Sequence, residues 1–81
     1  MAKVILNGNL KQFVSGTGEF ELDVHNVRTL FRVLGEQHPQ LKPHLEEGVA
    51  VAIDGQIYQD DWLQPINENS EVHLLPALAG G

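Results

Sequence analysis

The feature that most limits the fold of this sequence is a single change in the spacing of its apolar residues. Over residues 27–34 the apolar positions recur at i, i+3, i+4 and i+7, as Val27, Leu30, Phe31 and Leu34. This spacing puts them on one side of a helix and predicts an amphipathic helix. Asn26 is suited to the N-cap, and the helix should end before Pro39, because the residue before a proline avoids helical backbone angles.

On either side of this helix, apolar and polar residues alternate, which is typical of strands with one buried face. The predicted strands are 3–7, 19–24, 49–53, 56–58 and 71–75. The clearest is "EFELDV" at 19–24, where every second residue is acidic. Asp54-Gly55 predicts a two-residue hairpin turn between the third and fourth strands.

The order of these elements is strand, strand, helix, strand, short strand, strand. This order predicts an α+β domain in which one main helix packs against a mixed sheet of four to five strands. If the first and last strands are parallel neighbours, the architecture is the β-grasp of ubiquitin-like proteins, and local patterns alone do not decide that pairing. The 81 residues contain no internal repeat, so we expect one domain over 1–75 and a flexible C-terminal tail over 76–81.

Charge and composition argue against several classes of function. The chain has eleven acidic and five basic residues and a net charge of −6, which opposes nucleic-acid binding. It contains no cysteine, so disulfides and thiolate metal sites are excluded. No apolar run approaches the roughly 18 residues of a membrane span, and the N-terminus lacks the long apolar region of a signal peptide. We therefore expect a cytoplasmic protein with no membrane partner.

No arrangement of side chains predicts catalysis by this chain alone. Ser15 and Ser70 lie in turn-rich stretches, where local hydrogen bonding accounts for them. The four histidines lack the spacing of metal ligands, so no metal site is expected. Asp60 and Asp61 are adjacent on an extended segment and should point to opposite sides into solvent. Trp62 is expected to cover one end of the core.

The sequence closes with "LLPALAGG", and the terminal carboxylate of Gly81 is the remaining candidate for a reactive group. It is ionised at neutral pH. Gly80 and Gly81 have no Cβ, so a partner enzyme could close a narrow channel around their backbone. Pro76 fixes the direction in which the tail leaves the sheet. Six residues span at most about 20 Å, enough to reach a buried active site. The alternative is an ordinary frayed terminus.

The segments "GVAVAIDGQIY" and "INENSEVHLLPALAGG", together with the chain length and strand order, resemble the MoaD/ThiS family of ubiquitin-like sulfur carriers. The MoaD branch, the small subunit of molybdopterin synthase, is the most similar. The resemblance implies that a MoeB/ThiF-like adenylyltransferase uses ATP to convert Gly81 into a glycyl adenylate, and that a sulfur donor then makes it a thiocarboxylate. It also implies that no cofactor is stably bound. The sulfur would pass to a client enzyme such as a MoaE-like large subunit.

The surface beside the tail is the expected docking site for these partners. The residues assigned to it are Ile57, Leu75, Pro76, Ala77, Leu78, Ala79 and Gly80. Alternation along the last strand turns Leu75 outward with His73, and the outward alanines Ala50 and Ala52 should lie close by as an exposed apolar patch. Four acidic residues are expected near the base of the tail, where they would meet a basic rim of the partner. They are Asp60, Asp61, Glu68 and Glu71.

The chain is accordingly interpreted as a carrier and co-substrate rather than an enzyme, or as the small non-catalytic subunit of a sulfurtransferase such as molybdopterin synthase. Three other interpretations remain open. The sulfur could serve another pathway, such as that of cysteine, thiamin or another metabolite. The chain could be a ubiquitin-like modifier that is conjugated to lysine amines. It could also be a plain interaction domain in which the two glycines are incidental.

Overall fold

Five strands and two α-helices make up the fold of the chain. The computed structural model describes residues 1–14, 18–47, 49–59 and 61–76. The strands are β1 (Ala2–Leu6), β2 (Glu19–Leu22), β3 (Val49–Ile53), β4 (Gln56–Tyr58) and β5 (Glu71–Pro76). The α-helices are α1 (Val27–Gln37) and α2 (Lys42–Glu47), and two short 3-10 helices occupy Gly8–Phe13 and Pro39–Leu41. All five predicted strands are confirmed, with ends that differ by at most two residues.

The strands form one mixed sheet in the order β2-β1-β5-β3-β4. β1 is antiparallel to β2 and parallel to β5, with Val4 opposite Val72. β3 is antiparallel to both β5 and β4. The first and last strands are therefore the parallel neighbours at the centre of the sheet, which is the pairing that the sequence patterns left open. This pairing confirms the β-grasp architecture.

Helix α1 begins and ends where the sequence predicts. The Oδ1 atom of Asn26 accepts a hydrogen bond from the backbone N–H of Thr29 at 2.8 Å, so it caps the first turn. At the other end the N–H of His38 donates to the carbonyl of Leu34 at 2.8 Å, and the helix stops before Pro39. The apolar stripe of the helix is buried against one face of the sheet. The buried hydrophobic residues of the described helices all belong to one core cluster, so within the described residues the opposite face of the sheet is left without a helix.

The helical segments on either side of α1 were not predicted from the sequence. No regular structure was expected between residues 39 and 48, yet Pro39–Leu41 and α2 fold there and bury Leu41 and Leu45 in the core. Pro39 and Pro43 lie in the first turns of these helices. Backbone N–H groups there make no hydrogen bond within the helix, so a proline, which has no N–H, is tolerated. Leu10 of the first 3-10 helix is buried in the same core. The spacing of Leu41 and Leu45 by four residues was the available signal.

The turn between β3 and β4 ties that hairpin to the start of β5. Asp54 and Gly55 have φ angles of 49° and 91°, as a type I′ turn requires. The Asp54 carboxylate accepts hydrogen bonds from the Glu71 backbone N–H at 3.0 Å and from the Ser70 hydroxyl at 2.9 Å. The Ser70 Oγ atom in turn accepts from the N–H of Asn67 at 3.1 Å. These bonds confirm that Ser70 has a local structural role, while Ser15 lies outside the described residues.

These bonds make the stability of the domain depend on pH through Asp54. The backbone N–H of Glu71, followed by the hydroxyl of Ser70, lowers the pKa of the Asp54 carboxyl below its usual value. A lowered folded-state pKa stabilises the fold at pH values where the carboxylate is ionised, and this contribution is lost as the pH falls through the folded pKa. We expect Asp54→Asn to lower the melting temperature at pH 7, and the difference from wild type to shrink below about pH 4.

Thermal unfolding of both proteins across a pH series measures this effect. Asparagine tolerates the left-handed backbone of residue 54, so the substitution tests the charge and its hydrogen bonds rather than the turn. A melting-temperature difference that stays constant from pH 7 to pH 3 would contradict the assignment.

Candidate functional site

Strand β5 leads the chain to its C-terminal tail from the centre of the sheet. It pairs with β1 on one side and β3 on the other, and its last residue, Pro76, lies opposite Val49. The strand therefore ends one residue later than predicted. The remaining predicted site residues, Ala77, Leu78, Ala79, Gly80 and Gly81, lie outside the described residues. Their roles stay predictions, and so does the division between domain and tail.

The face of the sheet without helices carries the predicted apolar patch. We call it the open face, and its central residues are Ile5, Ala50, Ala52, Ile57, His73 and Leu75. Leu75 lies opposite Ala50, and Ile57 lies opposite Ala52. Ile57 is 66% exposed, whereas Leu75 is half-buried. The prediction that Leu75 and Ile57 share one face, two strands apart, is confirmed.

One part of the predicted patch is wrong. Ala50 is only 8% exposed, so it adds no accessible apolar surface. It lies on β3, which is flanked by β4 and β5, and the longer Leu75 side chain is directly opposite it. A methyl group between taller neighbours is covered even on a face without helices. The accessible part of the patch consists of Ile57 and the partly exposed Ile5, Ala52 and Leu75.

A polar cluster at the centre of the open face was not foreseen from the sequence. The His73 side chain accepts a hydrogen bond from Asn7 Nδ2 at its Nδ1 atom, at 3.2 Å, and its Nε2 atom donates to Glu71 Oε1 at 2.8 Å. The backbone N–H of Asn7 also donates to the carbonyl of Leu74 at 3.0 Å. These bonds hold the imidazole in one orientation between Ile5 and Ala52. The only signal in the sequence was the outward position of His73 on the last strand.

The predicted acidic rim does not surround the base of the tail. Glu71 is the first residue of β5 and Pro76 is the last, and five steps of a strand separate their Cα atoms by about 16 Å. Glu68 precedes Glu71 in the turn at that far end. Asp61 lies in the loop that is bound to the first turn of α1, and Asp60 is outside the described residues. The prediction for Glu68 and Glu71 is wrong. A strand is extended, so residues only a few positions apart along it lie far apart in space.

Trp62 covers the core only in part. Its ring lies edge-on to Phe31, with centroids 5.0 Å apart at 81°, while 42% of the residue remains exposed.

Within residues 1–14, 18–47, 49–59 and 61–76, no three histidine, aspartate or glutamate side chains are grouped to hold a metal ion. In the same ranges no helix is both long and apolar enough to cross a membrane.

Comparison with known proteins places this geometry in context. A model of the family described as the ThiS family matches residues 4–81, while no curated protein matches the chain. The solution structure of small archaeal modifier protein 1 from Methanosarcina acetivorans is similar with a TM-score of 0.80 and 23% identity. That match covers 99% of this chain and 95% of the other.

Two further solved structures have the same fold. Molybdopterin converting factor subunit 1 from Pyrococcus furiosus matches with a TM-score of 0.75 and 21% identity, over 93% of this chain and 94% of that one. A chain in the complex of subunits 1 and 2 of molybdopterin-converting factor from Helicobacter pylori matches with a TM-score of 0.69 and 22% identity. That match covers 99% of this chain and 97% of the Helicobacter pylori chain. At these identities the structures establish the shared fold.

Proposed function

Because this chain belongs to the ThiS family, and is thus a ubiquitin-like sulfur carrier or modifier, we propose that Gly81 carries the sulfur as a thiocarboxylate. The Gly81 carboxylate attacks the α-phosphate of ATP in a MoeB/ThiF-like adenylyltransferase, which releases pyrophosphate and leaves a glycyl adenylate. A donor of sulfide-level sulfur, such as hydrosulfide, then attacks the acyl carbon, so that a C–S bond forms, the C–O bond to AMP breaks and the thiocarboxylate is left. The chain binds no cofactor stably and delivers the sulfur to a client enzyme.

The observation that carries this proposal is that the family match extends through Gly81. The fold supports it, because β5 is paired with β1 up to Leu74 and with β3 up to Pro76, at the base of the tail. Residues 77–81 span at most about 17 Å when extended. That length would let Gly81 enter a partner's active site while the sheet stays at its surface. Gly80 and Gly81 offer no side chain to obstruct such a channel.

We propose the second subunit of a molybdopterin converting factor, a MoaE-like large subunit, as the client. Two of the similar structures are named as subunits of that factor, and one of them is a complex of subunits 1 and 2. In such a complex this chain would be the non-catalytic small subunit of a sulfurtransferase. Sulfur delivery for cysteine, thiamin or another metabolite would use the same chemistry at Gly81 with a different client.

A second candidate function is protein modification. The Methanosarcina acetivorans structure, with a TM-score of 0.80, is named as a small archaeal modifier protein. The same glycyl adenylate at Gly81 would then acylate a lysine amine of a target protein and release AMP. Both candidates require activation of the same carboxylate, and they differ in the nucleophile that follows.

Mass spectrometry of the intact protein, isolated from its own cells with its native C-terminus, tests the proposal. A sulfur carrier should show a fraction with one oxygen replaced by sulfur at Gly81, and this fraction should vanish when the adenylyltransferase is deleted. Covalent adducts with other proteins at Gly81 would favour the modifier. An unmodified mass in cells that are actively making sulfur-containing cofactors would contradict both.

We further propose that the open face docks the adenylyltransferase, with Leu75 and Ile57 as its apolar contacts. Ile57→Glu and Leu75→Glu should each weaken binding about 10-fold to 100-fold, because a charge would be buried where apolar surface is expected. Melting temperatures should change little, since neither side chain belongs to the core cluster. Leu63→Glu, at a residue 73% exposed outside the open face, is the matched control and should bind normally.

Calorimetric titration of each variant with the adenylyltransferase gives the affinities. Normal binding by Leu75→Glu, together with a large drop in its melting temperature, would show instead that Leu75 serves only to cover the sheet.

A further inference from the structure

The helical side of the molecule carries a groove that neither the tail chemistry nor the open face uses. It lies between α1, Pro39, α2 and the Trp62 side chain, and its volume is about 890 Å³. Phe31, Gly35 and Leu45 contribute apolar lining. We call it the helical groove. It lies on the layer opposite the open face, so a partner in one does not obstruct the other.

The loop that carries Trp62 is bound to the start of α1. The backbone N–H of Arg28 donates to the carbonyl of Trp62 at 2.8 Å, and the N–H of Val27 donates to the carbonyl of Gln64 at 3.1 Å. The edge-on contact with Phe31 holds the indole from the other side. The groove is therefore formed before any partner arrives. The same bonds occupy the first N–H groups of α1, so these groups are not available to bind an anion, and any positive charge in the groove comes from side chains.

The basic residues of this acidic chain are concentrated in the helical groove. Three of the five lysine and arginine side chains of the chain line the groove, namely Arg28, Arg32 and Lys42. Glu36 and Glu46 line it with them. Locally this is three positive charges against two negative, in a chain whose net charge is −6. The helical groove thus has a local excess of one positive charge, on a molecule that is acidic elsewhere.

Stability of the helix does not account for this arrangement. Arg28 and Arg32 are four residues apart on α1, and like charges at that spacing destabilise a helix. The Arg32 Nε atom lies 4.0 Å from Glu36 Oε1, but both side chains are about 70% exposed. Such exposed ion pairs contribute little to stability. Within the part of the chain that the structure describes, no ion pair involves Arg28 or Lys42.

We propose that the helical groove binds an acidic segment of a partner protein, with one apolar side chain of that segment placed beside Trp62. Its carboxylates would contact Arg28, Arg32 and Lys42. Tryptophan and arginine are the residue types most often found at binding hot spots, and Trp62 is both exposed and held in place. The groove is open to solvent and runs along two helices, which suits a peptide segment better than an enclosed small molecule. The proposal is independent of the chemistry at Gly81.

The test is a selection of displayed random heptapeptides on the full chain, followed by affinity measurements on the selected peptides. Trp62 is the only tryptophan, so its fluorescence reports binding of tryptophan-free peptides in the groove. We expect enrichment of peptides in which acidic residues flank an apolar one. Arg28→Gln combined with Arg32→Gln should weaken their binding about ten-fold or more, and increasing salt should weaken binding to the wild type.

The matched control is Lys3→Gln combined with Lys11→Gln, which removes the same net charge outside the groove and should change affinity by less than about two-fold. Equal losses in the two double variants would overturn the proposal, because the effect would then reflect net charge alone. Enrichment of basic or uncharged peptides would overturn it as well. A response of Trp62 to ATP or inorganic phosphate as strong as that to peptide would identify a small-anion site instead. Self-association that disappears in the arginine variant would identify a second copy of this chain as the occupant.

Discussion

Deletion of Gly81, or its replacement in Gly81→Phe, is expected to reduce sulfur transfer to the background of the assay. Deletion moves the carboxylate back by one residue, so it no longer reaches the position at which it is activated. A phenylalanine side chain would not fit a channel that closes around a bare backbone. Both changes fall beyond β5, so the fold itself should be unaffected.

A reconstituted assay with the adenylyltransferase, a sulfur donor and the client enzyme measures this loss. Leu63→Ala is the control, because Leu63 is 73% exposed outside the open face and the tail, and the variant keeps Gly80 and Gly81. It should retain transfer. The melting temperatures of all three variants should equal that of the wild type. Substantial transfer by the truncated chain would contradict the assignment of Gly81.

The second large effect concerns the core. Leu41→Ala is expected to lower the free energy of unfolding by about 2–5 kcal/mol. Leu41 has no exposed surface and packs in the cluster between the helices and the sheet, so truncation leaves a cavity that the surroundings fill only in part. For a small domain, whose total stability is typically about 5–15 kcal/mol, this is a large fraction.

Urea-induced unfolding of wild type and variant gives the difference in free energy. Leu63→Ala is the same substitution at a residue that is 73% exposed, and it should change stability by no more than about 0.5 kcal/mol. A Leu41→Ala variant as stable as Leu63→Ala would mean that the 3-10 helix Pro39–Leu41 does not pack against the core in solution.

Several elements could be predicted because their signals are local in the sequence. The spacing of the stripe on α1 identified the helix, the alternation in "EFELDV" identified a strand, and Asp54-Gly55 identified a hairpin turn. Alternation also predicted that Leu75 and Ile57 share one face. These predictions were correct because side-chain direction in a helix or strand depends on the residue's own position and a few neighbours.

Part of the candidate site was also accessible from the sequence. The apolar residues of the open face follow from strand alternation. The match over residues 4–81 confirms the family resemblance, while the role of Gly81 stays a prediction. The hydrogen bonds that orient His73 were not accessible, since its partner Asn7 is sixty-six positions away in the chain. Nor was the burial of Ala50, which depends on the side chain opposite it in a neighbouring strand.

Other features depend on residues that are distant in the chain, and these became known from the three-dimensional packing. The parallel pairing of β1 with β5 joins the two ends of the domain. The burial of Leu41 depends on a core to which many elements contribute. The far position of Glu71 from the tail and the gathering of Arg28, Arg32 and Lys42 in one groove follow from how strands and helices pack. They could not be predicted because periodicity shows only which side of an element is apolar, whereas the packing of the whole chain determines what that side contacts.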